Sequence, residues 1–282
     1  MGRPAPGPEE GGTLYIVSTP IGNLADITLR AIETLQRADV VLAEDTRASR
    51  VLLDHYAVRT KCVSAHEHNE ARIIPAVLER LARGERVALI TDAGTPLISD
   101  PGRRIVEAVR AAGHRVTPVP GPSALTAALA AAGLDTSRFT FLGFLPRSGR
   151  DRAEALALVS GLPHTGVLYE APGRVAATLR ALRDSGGGER RCVVAREISK
   201  KFEEFRDGTV GELAAYYADH PPRGEIVILV AGMDPKPMTE GEMDGRVKEL
   251  RAAGLSAKDI AARLSAELGV PRNLAYRKAL DA

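Results

Sequence analysis

Val87-Ala88-Leu89-Ile90-Thr91-Asp92-Ala93-Gly94-Thr95-Pro96-Leu97-Ile98-Ser99-Asp100-Pro101-Gly102 decides how this chain is read. A short apolar run opens it, a polar loop follows, and Pro101-Gly102 leads into residues 101–112, which carry helical periodicity. Continuous apolar runs bounded by turn residues and followed by a helix are what buried parallel strands look like. The alternation continues on both sides: residues 14–19, 40–45, 62–65 and 115–120 read as further strands, and 28–37 and 69–83 as helices. Repeated strand–helix units imply a mostly parallel sheet covered on both faces, here over residues 13–120. In such sheets ligands sit beyond the carboxyl ends of the strands, so the loops there hold the candidates.

Residues 121–134 form a helix-rich joint, and the pattern then changes. Strands are expected at 139–145, 166–170, 192–197 and 226–231, with a more polar one at 203–210 and helices near 151–158, 174–184 and 211–217. This describes a second α/β domain, 135–234, with a mixed sheet. Asp234-Pro235-Lys236-Pro237 reads as a linker to a helical extension, 235–282. In that extension Thr239 with Glu242 and Ser256 with Asp259 have capping-box spacing. Gly269-Val270-Pro271 separates two helices in the manner of a helix-turn-helix, Pro271 suiting a first helical position. Arg272, Asn273, Tyr276, Arg277 and Lys278 then share the last helix, which serves either nucleic-acid contact or a capping bundle with a solvated face.

Composition narrows the classes. The 282 residues are 44% hydrophobic, and 38 basic against 36 acidic side chains leave a net charge of +2. The chain therefore has no global electrostatic attraction to nucleic acid, and phosphate contacts must come from local basic clusters. Two cysteines, Cys62 and Cys192, exclude a disulfide framework and a cysteine-based zinc site. Residues 1–12, rich in Pro, Gly and Glu, read as a disordered tail rather than a signal peptide. No apolar run approaches the ~18 residues of a membrane span, so a soluble, cytoplasmic protein is expected.

Four loops lie at strand ends: Ser18-Thr19-Pro20-Ile21-Gly22-Asn23-Leu24, Ala43-Glu44-Asp45-Thr46-Arg47, Thr91-Asp92-Ala93-Gly94-Thr95-Pro96 and Pro120-Gly121-Pro122-Ser123-Ala124. The first has one glycine, which disfavours the G-x-G-x-x-G cradle of a dinucleotide fold. The last opens a helix whose free amides suit an anionic or polar ligand atom. Ser64-Ala65-His66-Glu67-His68-Asn69-Glu70 holds two imidazoles but shows no third metal ligand by spacing, which favours a substrate-contact loop over a metal site. Glu170 and Arg196-Glu197 close two apolar strands, as satisfied edge charges or as groups facing a cleft.

In combination, Thr19-Pro20-Ile21-Gly22-Asn23-Leu24, Glu44-Asp45-Thr46-Arg47, His66-Glu67-His68-Asn69, the 92–102 stretch, Pro120-Gly121-Pro122-Ser123-Ala124, Gly143-Phe144-Leu145-Pro146 and Tyr169-Glu170 resemble, in order and spacing, the small-subunit ribosomal RNA methyltransferase I family of the tetrapyrrole-methylase-like superfamily. The match runs from about residue 14 to 232, and the helical tail is similar to the family's C-terminal extension. The resemblance implies two α/β domains with S-adenosylmethionine in the cleft between them, a homodimer, and 2′-O-methylation of a cytidine of 16S ribosomal RNA near the decoding site. It points to Asp92, Gly94, Thr95, Pro96, Ile98, Ser123, Ala124, Phe144, Leu145, Ala195 and Arg196 as donor contacts, with no metal. Asn23 and Thr95 stand where porphyrinoid-modifying relatives carry aspartates, which argues against a porphyrinoid acceptor. Gly173 stands where the ribosomal branch usually has histidine, and Ile198-Ser199-Lys200 where it has Leu-Thr-Lys.

Methyl transfer to a ribose hydroxyl benefits from a base within hydrogen-bond reach, typically by ~10²–10⁴-fold. Asp45, His66, His68, Glu170 and Glu197 are the candidates, the first-domain loops being favoured because they are polar without an obvious structural demand. Arg147, Arg150 and Arg152, with Lys200 and Lys201, could flank one cleft and engage RNA phosphates, and Arg272, Arg277 and Lys278 could do so from the tail. A small-molecule methyltransferase and a non-catalytic RNA-binding module are the competing readings.

Overall fold

The computed structural model describes residues 12–233, 240–268 and 272–281. The first domain contains β1 (Thr13–Val17), α1 (Leu29–Arg37), β2 (Val40–Ala43), α2 (Thr46–His55), β3 (Cys62–Ser64), α3 (Glu70–Ala82), β4 (Arg86–Ile90), α4 (Arg103–Ala111) and β5 (Arg115–Val119). Its five strands pair in the order β3-β2-β4-β1-β5, and every pair is parallel. Side chains alternate between the two faces with the strand period of two. Tyr15, Val17, Ala88 and Ile90 pack on α1 and α2 through Ala31, Leu35 and Leu53. Leu14, Val87 and Leu89 pack on α3 and α4 through Val77, Leu81, Ile105 and Val109. Burying both faces explains why these strands read as continuous apolar runs.

The loops after β1 and β4 leave neighbouring strands toward opposite faces of the sheet, α1 lying on one and α4 on the other. That divergence is the switch point where open α/β sheets bind ligands. A backbone bridge joins the two loops there: Thr19 N donates to Gly94 O at 2.8 Å, and Gly94 N to Thr19 O at 3.1 Å.

The second domain contains α5 (Ala124–Ala131), β6 (Phe139–Phe144), α6 (Gly149–Gly161), β7 (Thr165–Glu170), α7 (Val175–Leu182), β8 (Arg191–Arg196), β9 (Glu204–Thr209), α8 (Val210–Asp219) and β10 (Ile226–Val230). The strand order is β6-β7-β10-β8-β9, with β6 and β7 parallel and the other pairs antiparallel. Helices α6, α7 and α8 cover one face through Val159, Leu179 and Leu213. Helix α5 covers the other: Ala128, Leu129 and Ala132 pack on Val167, Val193, Ala195, Val227 and Leu229. The expected joint is thus a structural layer of the second domain, and its small alanines let the helix lie close to the sheet.

The sequence reading missed α2, because its first turn, Thr46-Arg47-Ala48-Ser49, shows no apolar stripe. Asp45 starts it, its carboxylate accepting from the Arg47 amide at 2.8 Å, a cap of ~1 kcal/mol. Gly12, placed by the sequence reading at the end of a disordered tail, is buried instead, and a Cβ there would collide with the Leu81 backbone.

Helices α9 (Glu240–Ala252), α10 (Ala257–Leu268) and α11 (Arg272–Asp281) share a core of Val247, Leu250, Ile260, Leu264, Ala275 and Ala279. Ser256 caps α10, accepting from the Asp259 amide at 3.3 Å and donating to its carboxylate at 2.5 Å. The rest of the tail expected at 1–12, the linker at 234–237, Thr239 and the Gly269-Val270-Pro271 turn lie outside the described residues.

Candidate active site

Between the two sheets lies a cavity of about 350 Å³. The first domain supplies Ile21 from the loop after β1 and Ala93, Gly94, Thr95, Ile98, Ser99 and Asp100 from the loop after β4. The second supplies Ser123 and Ala124 at the start of α5, Phe144, residues 169–172, Ile198 and residues 224–227. Most of this wall is apolar, with a few polar groups placed around it, the usual composition of a small-molecule site.

Backbone geometry fixes the two loops that reach in from opposite sides. Leu97 and Ser99, at φ 74° and 69°, flank Ile98, while Glu197 and Ser199, at φ 51° and 68°, flank Ile198. Left-handed backbone is unfavourable for non-glycine residues and persists where the surroundings over-determine it. Each loop uses such a pair to turn one isoleucine toward the cavity. The second loop also clasps the first domain: Ser199 donates to the Asp26 carboxylate, and the Lys200 stem lies where a Cβ of Gly22 would be.

The residues fit S-adenosylmethionine in chemical type. Ser123 makes no side-chain cap on α5, so the helix's first amides are available to a carboxylate at the cavity wall. Ile21, Ile98, Ile198, Phe144 and Tyr169 offer apolar and aromatic surface to a flat ring and a thioether chain. Phe144 and Tyr169 meet edge to face at 5.6 Å, Phe144 being turned outward by a bulge at Gly143, φ 61°. Among the described residues, no three His, Cys, Asp or Glu side chains cluster as a metal site.

Of the expected donor contacts, Gly94, Thr95, Ile98, Ser123, Ala124 and Phe144 line the cavity. Asp92 does not: it is exposed and accepts from the Asp45 amide at 3.1 Å, tying the β2 and β4 loops together. Pro96 is buried outside the lining, and Leu145 belongs to the second-domain core. Ala195 packs against α5, and Arg196 turns away to pair with Glu204 on β9 at 3.0 Å. Strand β10 lies between β8 and β7, so Ile226 and Val227 take the place that the sequence reading gave to Ala195 and Arg196.

The expected bases fare unevenly. Asp45 is a helix cap whose bond from the Arg47 amide, aided by the Arg47 side chain, holds its carboxyl below the usual range. His66 and His68 line neither cavity, and the buried Nδ1 of His66 has no hydrogen-bond partner among the described residues. Glu170 reaches the cavity with its carboxylate fully engaged. It accepts from Thr178 Oγ1 at 2.6 Å and the Ala171 amide at 2.9 Å, and pairs with Arg174 at 3.2 Å. Glu197 is held below the ordinary carboxylate range by the Glu225 amide, with Lys200 at 3.0 Å adding to it.

The expected phosphate contacts also divide. Arg147, Lys201, Arg272 and Arg277 are exposed, and Arg150 is exposed while paired with Glu154 at 2.6 Å. Arg152 instead donates to Pro146 O and Thr178 Oγ1, Lys200 is held by Glu197 and Glu225, and Lys278 pairs with Asp244 at 3.0 Å. Those three are committed to internal bonds.

Sequence reasoning gave no role to Asp100. Burial first, then the charges of Glu44 and Asp92, push its carboxyl up to about 6, while the Thr91 hydroxyl pulls the other way. Asp100 also lines a second, polar hollow of about 490 Å³ with Glu44, Glu67, Glu70, Arg103 and Arg104. Its signal was present, since it lies inside the stretch that decided the fold. Tyr169 was likewise quoted without a role, and Ile226 and Val227 were read as part of a strand with no place at the site.

Comparison with known proteins agrees with this geometry. The family model of Tetrapyrrole (Corrin/Porphyrin) Methylases matches residues 13–214. The chain is 47% identical over 277 residues to a Ribosomal RNA small subunit methyltransferase I of Pseudomonas aeruginosa, covering 96% of this chain and 97% of the relative. A protein of the same name from Mesorhizobium japonicum is 45% identical over 269 residues, covering 95% and 91%. A crystal structure of uroporphyrin-III C-methyltransferase from Thermus thermophilus, complexed with S-adenosylhomocysteine, shares the fold. Its TM-score is 0.58 at 21% identity, covering 78% of this chain and 97% of that one. A parallel and a mixed sheet enclosing one cavity, with relatives alike over nearly their whole length, make this chain a member of the tetrapyrrole methylase family and, within it, of the ribosomal RNA small subunit methyltransferase I group.

Proposed function

We propose that this methyltransferase transfers a methyl group from S-adenosylmethionine to the 2′-hydroxyl of a cytidine of 16S ribosomal RNA near the decoding site. The observation that carries the reading is the pairing of two hollows. One is mostly apolar and suits the donor; the other, with Glu44, Glu67, Glu70 and Asp100 beside Arg103 and Arg104, offers hydrogen-bonding groups to a hydroxyl-bearing acceptor. The relatives' names support ribosomal RNA as that acceptor. Asn23 and Thr95, in place of aspartates, weigh against a porphyrinoid one.

Bound in the cleft, the donor supplies an already activated sulfonium methyl, so the protein's work is orientation and management of one proton. Orientation alone can lower a barrier by up to ~7–11 kcal/mol. In this reading Gly94, Thr95, Ile98, Ser123, Ala124 and Phe144 hold the donor, joined by Tyr169, Ile198 and Val227. Arg147, Arg150, Lys201, Arg272 and Arg277 are the exposed cations placed to meet RNA phosphates, a sequence-independent term that falls with salt. The protein acts in the cytoplasm as a homodimer, and no described helix is long and apolar enough to cross a membrane.

The test is methyl transfer from labelled S-adenosylmethionine to small ribosomal subunits lacking the modification, with nuclease mapping of the product. Label confined to one 2′-O-methylcytidine is expected. Donor binding without RNA label would redirect the acceptor to a small molecule.

A further inference from the structure

The His66-Glu67-His68-Asn69 stretch has no part in the donor cavity, yet its Glu67 reaches the polar hollow beside that cavity. We propose that Glu67 and Arg104 select cytidine over uridine in this hollow, the Glu67 carboxylate taking the exocyclic amine of the base and the Arg104 guanidinium its carbonyl oxygen. This rests on the methyl-transfer reading above and adds to it the residues that read the acceptor base.

Position comes first. The hollow meets the donor cavity at Ser99 and Asp100, the residues common to both linings. Glu67 and Arg104 line the hollow alone, so a ribose brought to the shared wall leaves its base to them. Both are set on one frame. Asn69 pins the loop that carries Glu67: its Oδ1 accepts from the His66 amide at 2.9 Å, and its Nδ2 donates to Ser64 O at 3.0 Å. The amides of Asn69 and Glu70 donate to His66 O at 2.9 and 3.1 Å. Arg104 is the second residue of α4, and the Glu70 carboxylate at the start of α3 accepts from the amide of Gly102, just before α4. The turn presenting Glu67 and the helix presenting Arg104 are thereby tied together, and backbone ordered in advance loses no freedom when a base arrives.

The commitments of the neighbours come second. Arg103 pairs with Glu107 at 2.5 Å, and Glu70 holds Gly102. Glu44 and Asp100 both face the Thr91 hydroxyl, and Asp100 belongs to the donor cavity as well. Glu67 and Arg104 are exposed, and among the described residues neither forms a hydrogen bond or an ion pair, with the other or with any neighbour. Opposite charges that line one hollow without meeting leave a space for a ligand that brings a donor to one and an acceptor to the other.

The edge of cytosine fits that description. Its amine donates, while its ring nitrogen and carbonyl oxygen accept. Uracil carries an oxygen in place of the amine. An ionised carboxylate only accepts and a guanidinium only donates. Glu67 therefore bonds cytosine and meets uracil oxygen to oxygen, whereas Arg104 meets a carbonyl that both pyrimidines share. Carboxylate acceptance from the cytosine amine is a recurrent form of base readout, and unstacked bases of single-stranded RNA expose this edge. The Glu67 end is thus the discriminating one, because an oxygen facing it is left unsatisfied.

The experiment compares the full-length wild type with Glu67→Gln and Arg104→Ala on unmodified small subunits carrying either cytidine or uridine at the methylated position, label being transferred from S-adenosylmethionine. The wild type should favour cytidine by ~10–10²-fold in kcat/KM. In E67Q the side-chain amide donates to the uracil oxygen, so label on uridine should rise and the preference should fall below about threefold. R104A should raise KM on both substrates alike and keep the preference, since the carbonyl it loses is common to both. Neither residue lines the donor cavity, so S-adenosylhomocysteine affinity, measured calorimetrically, should match the wild type in both variants. A gain on uridine is an outcome that mere loss of structure does not produce. An unchanged preference in E67Q, an equal fall on both nucleotides, or a wild type indifferent to the base overturns the assignment of Glu67, and a preference lost in R104A overturns that of Arg104. Absence of label from cytidine subunits with the wild type overturns the RNA reading itself and this inference with it.

Discussion

Two loops face each other across the cavity, each with an isoleucine held between two left-handed residues, yet their carboxylates are tuned in opposite directions. Beside Ile98, Asp100 is raised by burial and by the like charges of Glu44 and Asp92. Beside Ile198, Glu197 is lowered by the Glu225 amide and the Lys200 ammonium. The same backbone device thus carries a carboxyl disfavoured by its surroundings on one wall and a structural clasp on the other. What separates them is the partners: Glu197 has a backbone donor and a cation, and Asp100 has neighbouring anions.

The sharpest way to break this contrast is to neutralise both carboxylates separately. Asp100→Asn alters the cavity wall and should change S-adenosylhomocysteine affinity, whereas Glu197→Gln should leave that affinity within about tenfold, the difference being read by calorimetry. A matching change in the glutamine variant would end the distinction.

Gly224→Ala should come next. Gly224 sits at φ +84°, and an added Cβ would collide with the Glu197 carboxylate. The methyl both strains the backbone and displaces the clasp, at a cost of about 1–3 kcal/mol in stability, measurable by urea denaturation. Weaker S-adenosylhomocysteine binding should accompany it, since residues 224–227 line the cavity.

The pH profile of stability sharpens the comparison further. For Asp100 the folded value is above the unfolded one, so its contribution is present below about pH 4 and is lost as pH rises through about 6. For Glu197 the folded value is depressed, so its contribution is present above about pH 4 and is lost as pH falls through its lowered value. Thermal melts of D100N and E197Q against the wild type between pH 3 and pH 8 should therefore diverge in opposite senses. The smallest effect belongs to Ser199→Ala, which removes one exposed hydrogen bond to Asp26 and should cost ~0.5–1 kcal/mol in denaturant melts.

The fold was legible because its decisive strands are buried on both faces, which makes Val87-Ala88-Leu89-Ile90 and its equivalents stand out from their flanks. Even the polar strand β9 was readable. Helix α2 was not, since its start is marked by a cap rather than an apolar stripe. The site was legible where one strand end supplies one loop, as at Gly94, Thr95 and Ser123. It was not where sheet order decides, because antiparallel pairing brings β10 beside β7 and displaces Ala195 and Arg196 from the cavity. Nor does sequence distinguish a free arginine from one already spent, as Arg147 and Arg152 illustrate.

Glu70 has a consequence beyond anchoring a loop. It is the first residue of α3, and its carboxylate accepts from Gly102, the residue that precedes α4. Neither helix start is capped by the side chain of the residue before it. One negative charge therefore sits at the positive ends of two helix macrodipoles at once, each such placement being favourable by about 0.3–1 kcal/mol. That neutralisation closes both helix ends to a competing phosphate. The hollow beside them keeps Arg103, itself paired with Glu107, and Arg104 as its cations, against the carboxylates of Glu44, Glu67, Glu70 and Asp100.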